Sequence, residues 1–122
     1  MKITDFRDSI TPAHDQPSPE RLLSQTSPAR TTWEHYLSCD QAFSCGIWAC
    51  EPGHWRIRFA ANKHEFFCVI SGKVRLHAES GQLTEVGPGD AAVIPAGFIG
   101  SFEVVEAVRK YFVVYESPLS AG

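Results

Sequence analysis

No run of basic residues longer than the pair Arg109-Lys110 occurs in the 122-residue chain, and its formal net charge is −3. Nucleic-acid binding draws on clustered Lys and Arg that neutralise phosphates, so nucleic acid is not an expected partner. Long apolar runs are also missing. The longest falls far short of the ~20 residues that cross a bilayer, so no membrane partner is expected. The stretch MKITDFRDSITPAHDQPSPE carries acids and prolines and has no apolar centre, unlike a secretory signal. These absences together imply a cytoplasmic protein. None of the four cysteines, Cys39, Cys45, Cys50 and Cys68, forms a Cys-x-x-Cys pair. They read as reduced thiols acting as small apolar residues. A zinc or redox role for Cys45 and Cys50 is the rival reading.

What is present is a β texture. The first thirty residues hold Pro12, Pro17, Pro19 and Pro28, a density that prevents long regular elements. Residues 1–30 are read as an irregular arm, with a short helical turn over residues 21–25 started by Ser18-Pro19. The arm lies on the barrel or exchanges with a partner subunit. From Thr31 onward, short runs such as HWRIRF, EFFCVI, KVRLHAE, SFEVVEAV and KYFVVYE are separated by Pro52-Gly53, Ser71-Gly72, Ser80-Gly81 and Gly87-Pro88-Gly89-Asp90. Trp55, Ile57 and Phe59 alternate with His54, Arg56 and Arg58, and Val74, Leu76 and Ala78 alternate with Lys73, Arg75, His77 and Glu79. That period of two is a strand signal. Eight or nine short strands with frequent turns predict an all-β sandwich or barrel spanning residues 31–122.

Two spaced patterns narrow the fold. Gly53, Glu65 and Gly72 fit the positions of G-x5-H-x-H-x3-E-x6-G, and Gly89, Pro95 and Gly97 fit G-x5-P-x-G-x2-H-x3-N. With those residues in register, the chain resembles the cupin (RmlC-like) superfamily. The resemblance implies a double-stranded β-helix, the jelly-roll barrel. Phrases such as GIWACEPGHWRIRF and GPGDAAVIPAGF look like the small subgroup of ureidoglycine aminohydrolase and the ethanolamine-utilisation cupins. The scaffold glycines and proline set backbone angles. The histidines of both patterns would carry the chemistry, and here Phe59, Ala61 and Gly100 stand in their places.

A cupin site holds Mn, Fe, Ni or Zn with imidazoles and a carboxylate, and Phe59, Ala61 and Gly100 offer no donor. No cofactor is therefore expected. A divalent transition metal held by the relocated ligands His64 and Glu65, through a bulge near residue 62, is the alternative. Glu65 falls in phase with Phe67 and Val69. A buried carboxylate is costly without a partner, so it is protonated, hydrogen-bonded to Tyr or Trp, paired with Arg56, Arg58 or Lys110, or solvated at a wet strand end. As a pocket carboxyl it is the catalytic candidate, a general acid or base. Trp48, Phe59, Glu65, Phe98 and Tyr111 are the candidate ligand-binding residues, aromatic walls with a few polar groups. The leading expectation is a small-molecule-binding barrel without the three-histidine metal site. The alternatives are a metal-dependent hydrolase acting on small nitrogen-rich metabolites, and a structural or interaction barrel. A homodimer is the expected assembly.

Overall fold

Two long strands organise the molecule, as seen in a computed structural model that describes residues 1–118. The elements in chain order are β1 (Ala13–Asp15), β2 (Arg30–Leu37), β3 (Phe43–Cys50), β4 (Gly53–Arg58), β5 (Lys63–Ala78), β6 (Leu83–Val86), β7 (Ala91–Ile94) and β8 (Ile99–Glu116). All pairings are antiparallel. β5 and β8 pair with each other along nearly their whole lengths. The first half of β5 also pairs with β7 and its second half with β6. The second half of β8 also pairs with β3, and its first half with β4. Each long strand therefore belongs to both sheets of the barrel. The core lies between the halves, where Phe67 and Val69 of one meet Val74, Leu76 and Phe102 of the other. Phe67 is 0% exposed, and burying a ring of that size stabilises the fold by roughly 2–3 kcal/mol.

The jelly-roll barrel expected from the sequence is the observed fold. The strands are fewer and longer than the turn signals imply. EFFCVI and KVRLHAE are one strand, as are SFEVVEAV and KYFVVYE. Ser71-Gly72 does not reverse the chain. It lies in β5 where the register to β8 shifts between Val69 and Val74. Gly72 adopts φ +84° against the backbone of Ala107, and a Cβ there would strike the Ala107 carbonyl. Glycine here permits a bulge and a close approach, which bend the strand from one sheet into the other. By contrast, Gly81 closes a true hairpin between β5 and β6, its N–H donating to the Ala78 carbonyl at 2.9 Å.

The arm lies on its own barrel. β1 pairs with β2, with His14 opposite Thr31, and Leu22 bridges to Trp55 and packs on the core. The helical turn is shorter than expected, a 3-10 turn at Pro19–Arg21. The Ser18 side chain makes no cap hydrogen bond and Leu22 is already extended, so nothing propagates the turn. No helix among the described residues is long and apolar enough to cross a membrane.

Gly72→Ala should lower stability by about 3 kcal/mol, since strain at positive φ and a backbone clash act together. Gly81→Ala, with open space around it, should cost about 1 kcal/mol through its φ alone. Urea midpoints of the two variants measure the difference, and equal losses would contradict the role given to Gly72.

Candidate functional site

Strand parity decides which side chains enter the barrel. On β5, Lys63, Glu65, Phe67 and Val69 share the inner phase, and on β8 so do Val108, Lys110, Phe112 and Val114. A lysine and a glutamate thus project into an otherwise apolar interior. Lys110 Nζ donates to Glu65 Oε2 at 2.7 Å, with side-chain exposures of 5% and 13%. The ammonium also lies 4.6 Å from the Trp48 ring centroid, 4.4 Å from Phe67 and 4.9 Å from Phe102. A carboxylate and three π faces surround one charge. Taking two ions out of water costs several kcal/mol, and close pairing with added cation–π attraction offsets it.

Above this pair opens a cavity of about 330 Å³, walled by Trp48, Trp55, Ile57, Phe59 and Phe102. Its rim carries Asp15 from β1 and Arg30 from β2. Arg30 gives Nε and Nη2 to the two Asp15 carboxylate oxygens at 2.8 and 2.7 Å and lies 5.4 Å from the Trp55 ring centroid. Lys63, also lining the cavity, sits 4.6 Å from the Phe59 ring centroid.

Three of the sequence candidates meet in this cavity: Trp48, Phe59 and Glu65. Of the three basic partners considered for Glu65, Lys110 takes the role, because Arg56 and Arg58 are in the outer phase of β4 and exposed. Tyr111 does not reach the cavity. It is one residue out of phase with Lys110, 46% exposed, and faces Phe6 of the arm at 6.1 Å. Phe98 packs on the core without lining the cavity. Its ring atom lies 2.8 Å from where a Gly100 Cβ would sit. His64 stands on the opposite face of β5 from Glu65, accepts from the Ala96 N–H at 3.2 Å and stacks on Tyr115. His64 and Glu65 therefore do not converge as a ligand pair, because the bulge that would turn His64 inward does not form at residue 62. Lys63, Arg30 and Asp15 were not among the sequence candidates, and Lys110 entered only as one of three possible partners of Glu65. The signal for Lys110 was available: a lysine in phase with Val108, Phe112 and Val114.

The donor set does not fit a transition metal. Phe59 walls the cavity, Ala61 is exposed in the loop after β4, and Gly100 has no room for a side chain against the His77 carbonyl and the Phe98 ring. Glu65, the remaining carboxylate, is committed to Lys110. Among the described residues no three His, Cys, Asp or Glu side chains converge as a metal site. The four cysteines are free thiols, and burial pushes Cys50 up to about 12, which suits a small apolar residue rather than a thiolate ligand.

A second polar cluster lies on the outer face. His54 Nε2 is 2.7 Å from Ser101 Oγ, His77 Nε2 is 2.9 Å from Glu103 Oε1, and the two imidazoles are 5.0 Å apart. Burial pushes the His54 imidazole below its ordinary value, and the nearby His77 adds to this while Glu103 opposes it.

With antiparallel sheets rolled into a jelly roll around an interior polar site, the molecule is a cupin. Residues 37–112 match the EutQ-like cupin domain family, and because they are more than half of the chain, it belongs to that family. A Pseudomonas syringae protein of unknown function in the DUF861 family superposes with a TM-score of 0.77 at 23% identity, over 90% of this chain and 46% of that one. The chain thus spans less than half of that relative's length. Clostridium difficile EutQ superposes at 0.64 with 20% identity, covering 81% of this chain and 79% of that one. A protein from Salmonella typhimurium described as a putative ethanolamine utilization protein Q also gives 0.64, at 16% identity, over 91% of this chain and all of that one. No curated protein matches the chain. The family found is the ethanolamine-utilisation side of the resemblance, and ureidoglycine aminohydrolase is not singled out.

Two outcomes are expected. Lys110→Met alone should cost about 3–5 kcal/mol by stranding a buried carboxylate, and adding Glu65→Leu should restore most of it. Denaturant midpoints of the single and double variants test this, and equal losses would refute the pairing. For His54, the unfolded chain takes up a proton at higher pH than the folded one, so stability is full above about pH 6.5 and declines as pH falls towards the lowered folded value. His54→Gln should flatten the fall in Tm between about pH 7.5 and about pH 5, and an unchanged slope would contradict it.

Proposed function

We propose that this cupin barrel binds a small organic molecule without a transition metal, around the buried Glu65–Lys110 pair. The observation that carries the reading is that pair's place on the floor of an open, aromatic-walled cavity. A cavity of about 330 Å³ is at the small end of the ~300–1,000 Å³ typical of ligand sites, and a few fixed polar groups among apolar walls are the usual form. Lys110 supplies a positive charge beside the motif glutamate, and that charge needs no imidazole ligands. A filled, purely structural barrel is disfavoured because Glu65 and Lys110 both line open space. A hydrolase with relocated ligands is disfavoured by the separation of His64 from Glu65 across β5.

A thermal-shift screen of small metabolites, run once with EDTA and once with added Mn and Zn, tests the reading. The expected hits are the same in both conditions and vanish in the Glu65→Leu/Lys110→Met double variant. Hits that require the metal would overturn the proposal.

A further inference from the structure

We infer that the molecule taken up by the cavity is a small organic carboxylate with a compact apolar or aromatic body, its anion received by Lys63. This rests on the proposed binding role and adds the charge and shape of the ligand.

Five charged side chains line the cavity: Asp15, Arg30, Lys63, Glu65 and Lys110. Three are cations and two are carboxylates, and two of the cations are already engaged. Lys110 donates to Glu65 and faces three aromatic rings. Arg30 gives two of its donors to Asp15 in a fork. Lys63 makes no ion pair among the described residues. Glu116 stands opposite it on β8, but the ammonium leans over the Phe59 ring at 4.6 Å and lines the cavity, whereas Glu116 does not. An ammonium has three N–H donors, and a π face satisfies none of them as a carboxylate oxygen would.

Position adds to charge. Lys63 and Glu65 are two apart on the same face of β5, so their side chains leave the strand roughly 7 Å apart. A ligand anion at Lys63 therefore sits at the mouth, and its body lies between Phe59, Trp48, Ile57 and Trp55. A cationic ligand is disfavoured twice. The aromatic cage that would hold it is filled by Lys110, and the remaining free charge would repel it. A phosphate dianion asks for more donors than one lysine gives, and no helix N-terminus lines the cavity. A single carboxylate matches the single unengaged cation.

The test is a tryptophan-fluorescence titration of the whole protein with matched probes: carboxylates, primary amides and primary amines on the same skeletons, from acetate to benzoate and phenylacetate. The carboxylates are expected to bind about tenfold tighter than the matched amides, and the amines not to saturate. Lys63→Met should erase that preference, Lys63→Arg should retain it, and Glu116→Gln should leave it intact. Amides or amines that bind as well as carboxylates, or a preference that survives Lys63→Met, would overturn the inference and leave a metal-free ligand site standing. If none of the three series binds, the binding role itself falls, and the inference with it.

Discussion

A lysine ammonium is held between a carboxylate and three aromatic rings inside a β-barrel, and the character of the interior follows from it. Lys110 is side-chain-buried to the same degree as the apolar core around it. Left without Glu65, its charge would cost several kcal/mol of desolvation, and Glu65 without Lys110 would be equally stranded. Each group makes the other tolerable. The rings of Trp48, Phe67 and Phe102 then do more than fill space, since their π faces are the remaining neighbours of the charge. The pair also engages Glu65, the carboxylate at the motif position, on an otherwise ordinary cupin scaffold.

That scaffold depends on two strands that each serve two sheets. β5 and β8 run side by side through both halves of the barrel, and the bulge at Gly72 opposite residues 106–109 lets them turn together. One consequence is that the groups lining the cavity come from distant parts of the chain but from few strands. Glu65 and Lys63 arrive on β5, Lys110 and Phe102 on β8, and Trp48 on β3, paired directly with Lys110 in the ladder. The arm completes the rim, because β1 brings Asp15 to Arg30. The ion pair therefore sits on the most continuous hydrogen-bonded part of the fold, and the rim sits on a three-residue strand at the sheet edge.

The fold was legible in the sequence because its cues are local. Glycine and proline spacing and alternation of apolar residues report directly on turns and strand faces, and they led to the cupin barrel. The strand count was less legible, since a glycine that marks a hairpin at Gly81 marks a bulge at Gly72, and only the partner strand distinguishes them. The site was legible in part. Glu65 stood out as a carboxylate in an apolar phase, with Lys110 one of three partners considered. Choosing among them required the parity of β4 and β8, which also removes Tyr111 from the cavity. Phe98 misled for another reason: a ring after a turn can fold back on the core, and here it occupies the space beside Gly100. Lys63, Arg30 and Asp15 look like ordinary surface charges in sequence, and only the rolled sheet brings them to one mouth.

The central claim is that Lys110 takes the place of a metal beside Glu65. A crystal structure grown in millimolar Mn or Zn tests it most directly. The account predicts Lys110 Nζ within hydrogen-bonding distance of the Glu65 carboxylate and no ion in the barrel. An ion bound to Glu65 at roughly 2.0–2.2 Å, with Lys110 swung away from it, would contradict the account.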